Sequence, residues 1–154
     1  MDFKEFMLPE LKEKKDEIIT FKGVDTFKDK EGNPIPLKFK RLSKKEYRKI
    51  LNEFKSRVPA LDEKGKYIIS SNSRLVYDEV LDNDGLSDAL IARTMVQPNL
   101  YDKELLKFYD VYAATDLLNI LFKGEDYAYV DRCCAQACGL TKLNEKEVIS
   151  ELKN

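Results

Sequence analysis

The stretch from residue 96 to residue 138 constrains the fold most, because helix-breaking and helix-capping residues divide it into short segments. Pro98 ends one predicted helix, since the residue before a proline disfavours helical geometry. Asp102 is a good N-cap for the next helix, and another is predicted over residues 113–122. Gly124 ends that helix, as glycine commonly does. The spacing therefore predicts a core built largely from short helices.

The apolar residues of this stretch recur every three or four positions, which turns one face of each helix toward a core. The predicted core positions are Leu105, Leu106, Tyr109, Leu117, Leu118, Leu121, Phe122, Tyr127, Val130, Cys134 and Cys138. Glu125 lies in the first turn of the last helix, where the helix dipole favours a negative charge.

Residues 18–42 have a different period, which predicts a β-hairpin. Ile19 and Phe21 lie two positions apart, and Leu37 and Phe39 repeat that spacing. The turn is predicted at residues 30–33, which are rich in residues that tolerate unusual backbone angles. Because the prolines before the returning strand cannot donate to a ladder, that strand is expected to start at a sheet edge.

The first 17 residues are predicted to form an amphipathic helix, interrupted or restarted at Pro9. Its apolar side chains are Phe3, Phe6, Met7 and Leu11. Two interpretations stay open for them. The helix packs on its own domain, or it is an arm that docks on a partner.

Residues 43–58 contain the clearest helix signal. Ser43 and Glu46 have the spacing of a capping box, and apolar residues follow at helical spacing up to Val58. From Lys38 to Val58 there are nine basic and two acidic residues, a local charge of +7. This basic face, which includes Lys44, Lys45, Arg48 and Lys49, is either a solvated helix surface or a docking surface for an acidic partner segment.

The remaining segments complete a prediction of one domain over residues 1–154. Residues near 58–73 are predicted to be an exposed loop, and helices are predicted over residues 75–81, 87–96 and 144–152. The fold class is therefore mainly α (α+β): a compact helical domain, residues 43–154, with a small N-terminal β-hairpin.

The composition excludes several classes of function. A net charge of -1 gives no general attraction to nucleic acid or anionic membranes, and we expect a soluble intracellular protein. Without histidine the chain lacks the commonest general base and metal ligand. The clustered cysteines Cys133, Cys134 and Cys138 fit neither a disulfide framework nor a zinc site and are expected to be buried thiols. We therefore expect no enzyme, no metal or other cofactor, and no small-molecule substrate.

One set of residues, in order and spacing, resembles the XkdN-like tail assembly chaperones of tailed phages and prophages. The set comprises Pro98, Asn99, Leu100, Asp102, Glu104, Leu105, Tyr109, Asp116, Leu117, Leu118, Gly124, Glu125 and Tyr127. The similarity extends to the segment Phe27-Lys28-Asp29-Lys30-Glu31-Gly32-Asn33-Pro34 and to the C-terminal end. No single motif carries the match.

The resemblance implies a non-enzymatic chaperone that binds the tape measure protein, and as a further candidate the major tail protein, in the host cytoplasm. Such a protein is absent from the mature virion. We expect the apolar N-terminal set and the basic face to contribute to this contact, while the residues from Pro98 to Tyr127 hold the fold. Self-association is a further candidate. The alternative function is a structural minor tail or tail-completion protein that stays in the virion.

Overall fold

The computed structural model describes residues 3–11 and 17–153. The strands and α-helices, in chain order, are β1 (Glu17–Phe21), β2 (Leu37–Lys40), α1 (Lys44–Glu53), β3 (Lys55–Pro59), β4 (Tyr77–Leu81), α2 (Asn83–Thr94), β5 (Met95–Gln97), α3 (Lys103–Phe108), α4 (Ala114–Leu121), α5 (Glu125–Ala137) and β6 (Val148–Lys153). None of the helices in the described part of the chain is long and apolar enough to cross a membrane.

A four-stranded antiparallel sheet, ordered β5-β2-β1-β6, forms one layer of the protein. The hairpin expected in residues 18–42 supplies its two central strands, in which Ile19 pairs with Phe39 and Phe21 with Leu37. These directly opposed side chains share one face of the sheet, and all four are buried. The Phe21 and Phe39 rings meet edge to face with their centroids 5.7 Å apart. This apolar face forms one half of the core.

Helices supply the other half. Helix α2 packs on both α4 and α5, and α5 contacts strand β2. The most deeply buried helical residues include Ile91, Leu117, Leu118 and Val130, as expected from the helical spacing of their segments. The hydroxyl of Thr94, which is also buried, donates to the carbonyl oxygen of Leu90. The core therefore combines the apolar sheet face with the inward faces of three helices.

The capping residues expected at the starts of α1 and α3 are confirmed, whereas α1 ends at Glu53 rather than near Val58 and α2 begins at Asn83 rather than at residue 87. In α1, the Ser43 hydroxyl accepts from the Glu46 amide while the Glu46 carboxylate accepts from the Ser43 amide, which completes the capping box. Asp102 caps α3 by accepting from the Leu105 amide. Helix α4 spans Ala114–Leu121, and Gly124, with a φ of 57°, precedes α5. Side-chain caps decide the starts of α1 and α3, whereas α4 and α5 begin without a side-chain cap hydrogen bond.

The expectation of a mainly helical protein is wrong. The described residues form six strands in two sheets, so the fold class is α+β. Residues 75–81, expected to be a helix, contain strand β4, and β3 together with two isolated bridges replaces the loop expected near residues 58–73. Residues 144–152, also expected to be helical, form a turn followed by the edge strand β6.

Two further expectations need correction. The N-terminal helix is replaced by two 3₁₀ turns, Lys4–Phe6 and Pro9–Leu11, while the rest of that predicted helix up to Asp16 lies outside the described residues. Strand β2 is internal rather than at an edge, because β5 pairs with it through Lys38 and Gln97. Its neighbouring prolines precede the strand, so they remove no donor from its ladder.

Candidate docking surfaces

A second, two-stranded sheet forms what we call the arm, residues 55–81. Strands β3 and β4 are its base, and two shorter hairpins extend it through the bridges Leu61–Tyr67 and Ile69–Leu75. The three hairpins meet in a ring of backbone hydrogen bonds. Ala60 donates to the Val76 carbonyl, Val76 to that of Ile68, and Ile68 to that of Ala60. The arm is therefore a three-hairpin unit held together mainly by its own backbone.

One turn type occurs at both tips of the arm and in the β1–β2 connection. Asp62 accepts from the amides of Lys64 and Lys66, as Asp29 accepts from those of Glu31 and Asn33. The fourth residue of each turn has a positive φ, and the fourth residues are Gly32 (84°), Gly65 (79°) and Ser73 (58°). The pattern Asp-x-x-Gly is therefore a sequence signal for a hairpin at residues 62–65, where an exposed loop was expected.

Because Ser73 holds a left-handed conformation that favours glycine, the variant Ser73→Gly is expected to stabilise the arm by about 0.5–1 kcal/mol. The reverse change, Gly65→Ala, should destabilise it by about 1 kcal/mol. We would measure amide hydrogen exchange at Ile68 and Val76, where protection should rise and fall respectively by about fivefold. Changes of the same sign in both variants would contradict this account of the turns.

The arm exposes large apolar side chains on both faces. All arm residues are described, and Ala60 is the one buried side chain among them. From the register, one face holds Leu61, Tyr67, Ile69, Leu75, Tyr77 and Leu81, with exposed fractions between 36% and 63%. The opposite face holds Val58, Ile68 and Val80. So many exposed large apolar side chains in one segment make the arm a candidate interaction site.

The arm is charged both at its base and at one tip. At the base, Lys55 Nζ lies 3.2 Å from Glu79 Oε1, and the Arg57 guanidinium stacks over the Tyr77 ring at 4.8 Å from its centroid. The tip between Leu61 and Tyr67 is the exposed charged run of residues 62–66. The exposed apolar side chains of the arm therefore lie among charged groups.

The basic face predicted from sequence is on α1. Lys44, Lys45, Arg48 and Lys49 are exposed, and within residues 3–11 and 17–153 none of the four forms an ion pair.

The nearby carboxylates are engaged elsewhere. Glu53 pairs with Arg93, and the Ser43 hydrogen bonds of the capping box lower the pKa of Glu46. The cations on the outer side of α1 are therefore open to an acidic partner.

The N-terminal apolar residues also lack a place in the core. Phe3, Phe6, Met7 and Leu11 are all exposed, and the rings of Phe3 and Phe6 contact each other with centroids 6.4 Å apart. Phe6 and Leu11 lie in two 3₁₀ turns of three residues each, and Phe3 and Met7 flank the first of them. The structure thus places three candidate surfaces, the N-terminal segment, α1 and the arm, outside the core.

The residues of the family pattern lie in a different part of the molecule. Leu100, Leu117 and Leu118 are fully buried. The Tyr127 hydroxyl donates to Asp88, and burial together with this bond raises the pKa of Tyr127. Asn99 accepts from the Tyr101 amide.

Other pattern residues line an apolar cavity. Pro98, Leu105 and Tyr109 form part of its wall, a position that the spacing of their segment did not reveal. Glu125 begins α5 and is exposed.

The three cysteines lie on one helix and are buried. Burial raises the pKa of Cys133 to about 12. The pKa of Cys134 is also raised, by its contact with the Cys138 sulfur 4.0 Å away and by burial. No group of three or more cysteine, aspartate or glutamate residues in the described part of the chain is arranged to hold a metal ion.

Cys133 is therefore expected to react very slowly with alkylating reagents in the folded protein. Its raised pKa leaves about a thousandfold less thiolate at neutral pH than an ordinary thiol has, and burial further limits access. The measurement is the rate of iodoacetamide labelling at Cys133 by mass spectrometry, in buffer and in urea. Equal rates in both conditions would show that the thiol is reachable in the folded chain.

Comparison with known proteins identifies a similar structure and a family. A structure described as the crystal structure of the protein YqbN is similar with a TM-score of 0.63 and 20% sequence identity, over 90% of this chain and 97% of that one. At this identity the likeness supports the fold alone. No curated protein sequence matches the chain. Residues 3–153 match the family described as phage XkdN-like tail assembly chaperone protein (TAC). The chain therefore belongs to the XkdN-like family of phage tail assembly chaperones.

Proposed function

We propose that this chain acts without catalysis as a chaperone that binds the tape measure protein while tails assemble in the host cytoplasm, and that it is absent from the finished virion. The arm is the observation that carries the proposal. It presents nine large apolar side chains to solvent, and Ala60 is the one buried side chain among its residues. Burial of apolar surface contributes roughly 25 cal/mol per Å², so covering these side chains contributes to the affinity for an apolar client segment.

The low stability expected of the arm suits transient binding. An isolated small β-unit is marginally stable in water, and the arm has almost no core of its own. Binding therefore orders the arm further, and the entropy cost of this ordering offsets part of the binding free energy. The resulting weaker affinity favours release of the client once assembly is complete. The N-terminal segment offers a second apolar contact through Phe3, Phe6, Met7 and Leu11.

The basic face is expected to speed encounter with the client. Replacing Lys44, Lys45, Arg48 and Lys49 by glutamate should lower the association rate with the tape measure protein by about tenfold at low salt. Surface plasmon resonance at two salt concentrations measures this effect. The matched control replaces four other exposed lysines, Lys28, Lys30, Lys142 and Lys146, by glutamate. Equal rates for the two variants would remove the basic face from the proposal.

Co-expression with the tape measure protein from the same genome tests the function itself. Under the proposal, the tape measure protein stays soluble and co-purifies only when this chain is present. If the tape measure protein remains insoluble while this chain elutes alone, the alternative of a structural minor tail or tail-completion protein is favoured. Mass spectrometry of purified virions then distinguishes the two functions, because only a structural component remains in the particle.

The same assay extends to the other proposed partners. Co-expression with the major tail protein tests whether tail tube subunits are also clients. Light scattering on the purified chain over a range of concentrations tests self-association. A constant monomer mass up to millimolar concentration would contradict self-association without affecting client binding.

A further inference from the structure

An apolar cavity lies between the β1–β2 hairpin and the segment that contains α3 and α4. Its volume is about 210 Å³, and its wall includes Val24, Phe27, Leu37, Leu105, Tyr109 and Phe122. The Gln97 side chain also lines it, but its amide nitrogen donates to the Pro36 carbonyl oxygen 2.7 Å away. Gln97 and Tyr109 carry the polar side-chain groups of the wall, and the other eight lining residues are apolar.

Such a cavity suits an apolar group better than water. A buried water needs two to four polar partners, whereas eight of the ten residues that line this wall are apolar. Protein cores are otherwise packed with few voids larger than a water molecule. A space of 210 Å³ holds one leucine, methionine or phenylalanine side chain.

An acidic surface cleft adjoins the cavity at Leu105. Leu105 lines both, and the cleft is completed by Asn99, Asp102, Glu104 and Phe108. Two carboxylates and no cation are found among the described residues that line cavity and cleft. The Phe108 ring is 80% exposed beside them. Exposed aromatic side chains next to a pocket are typical of the central contacts of protein interfaces.

We propose that cavity and cleft together bind a partner segment in which a large apolar side chain is followed or preceded by lysine or arginine. The apolar side chain fills the cavity, while the cation lies against Asp102 and Glu104. This inference rests on the proposed function, because a client supplies such a segment. The site is distinct from the basic face of α1. The basic face attracts carboxylates of the client, whereas this site binds a lysine or arginine of the client.

Synthetic peptides test the site on the full-length chain without the tape measure protein. Three nonapeptides share a glycine–serine background and carry a leucine between two lysines, a leucine between two glutamates, or a serine between two lysines. Two-dimensional NMR titration should show the lysine-flanked leucine binding about tenfold more tightly than the glutamate-flanked one. The largest shifts are expected at Leu105 and Phe122, and the serine peptide should not bind.

Reversing the charge of one carboxylate provides a second test. In Glu104→Lys, the preference for the lysine-flanked peptide should disappear or invert, whereas Glu145→Lys, an exposed carboxylate outside both cavity and cleft, should retain it. Equal affinities for the two leucine peptides, or shifts confined to other surfaces, would overturn the inference. If the tape measure protein still co-purifies in that case, the proposed chaperone function is retained and only the peptide site is rejected. If the peptides bind as expected but the tape measure protein does not co-purify, the site is retained and the proposed function is rejected.

Discussion

Replacing Leu118 by alanine is expected to lower the free energy of unfolding by about 2–5 kcal/mol. Leu118 is fully buried in α4, within the pattern shared with the family. The substitution removes buried apolar surface and leaves a cavity that the surrounding side chains fill only in part. Since small domains are stable by about 5–15 kcal/mol, this single change consumes a large part of the total.

Urea unfolding followed by circular dichroism measures the loss. The control is Leu140→Ala, because Leu140 is a leucine of which about half is exposed, and surface changes usually stay within about 0.5 kcal/mol. A small loss at Leu118, similar to that at Leu140, would mean that the core relaxes around the substitution. The assignment of this pattern residue to the fold would then fail.

Replacing Leu61, Tyr67 and Ile69 by serine is expected to reduce affinity for the tape measure protein by about 30-fold or more. These three side chains lie on one face of the arm and are more than half exposed. Truncating apolar anchors at the centre of an interface costs far more affinity than truncating peripheral ones. The free energy of unfolding should change little, because the side chains bury little surface in the free protein.

A second triple variant provides a matched control. Tyr112, Leu140 and Ile149 are again one tyrosine, one leucine and one isoleucine, and all are exposed outside the arm. Their replacement by serine should leave the amount of co-purified tape measure protein unchanged. If both variants lose the client equally, exposed apolar surface acts without regard to position. If neither loses it, the arm is not the contact.

Local chemistry made part of the fold predictable. The capping box of Ser43 and Glu46 and the N-cap of Asp102 depend on side chains within three residues of the helix start, so the printed sequence contains all the partners. The same holds for the turn at Asp29, where one carboxylate accepts from two nearby amides. The order of residues from Pro98 to Tyr127 also sufficed for the resemblance to the family that the full match then established.

The arm was misread because its apolar residues satisfy two periods at once. Leu75 and Tyr77 alternate as in a strand, while Tyr77 and Leu81 have helical spacing. Residues 77–81 form a strand because they pair with β3, in a register that runs from Lys55 opposite Leu81 to Pro59 opposite Tyr77. The Asp-x-x-Gly turn at residues 62–65 is a local signal that would have favoured strands on both sides of it.

Long-range pairing decided the rest. Strand β6 lies beside β1, more than 120 residues away in sequence, and β5 joins β2 after two intervening hairpin strands and two helices. A short segment such as Val148–Lys153 does not bury enough surface alone to select a helix or a strand. The cavity beside Leu105 is likewise built from five separate segments.

Neighbours in the chain thus sufficed to predict the caps at Ser43 and Asp102, the first hairpin and the resemblance to the family. Contacts made in the folded chain were needed to establish that residues 55–81 form an exposed arm, that the C-terminal segment is a strand, and that Pro98, Leu105 and Tyr109 share a cavity. Strand pairing and cavity shape arise from contacts between residues distant in sequence, whose free energy no local pattern contains.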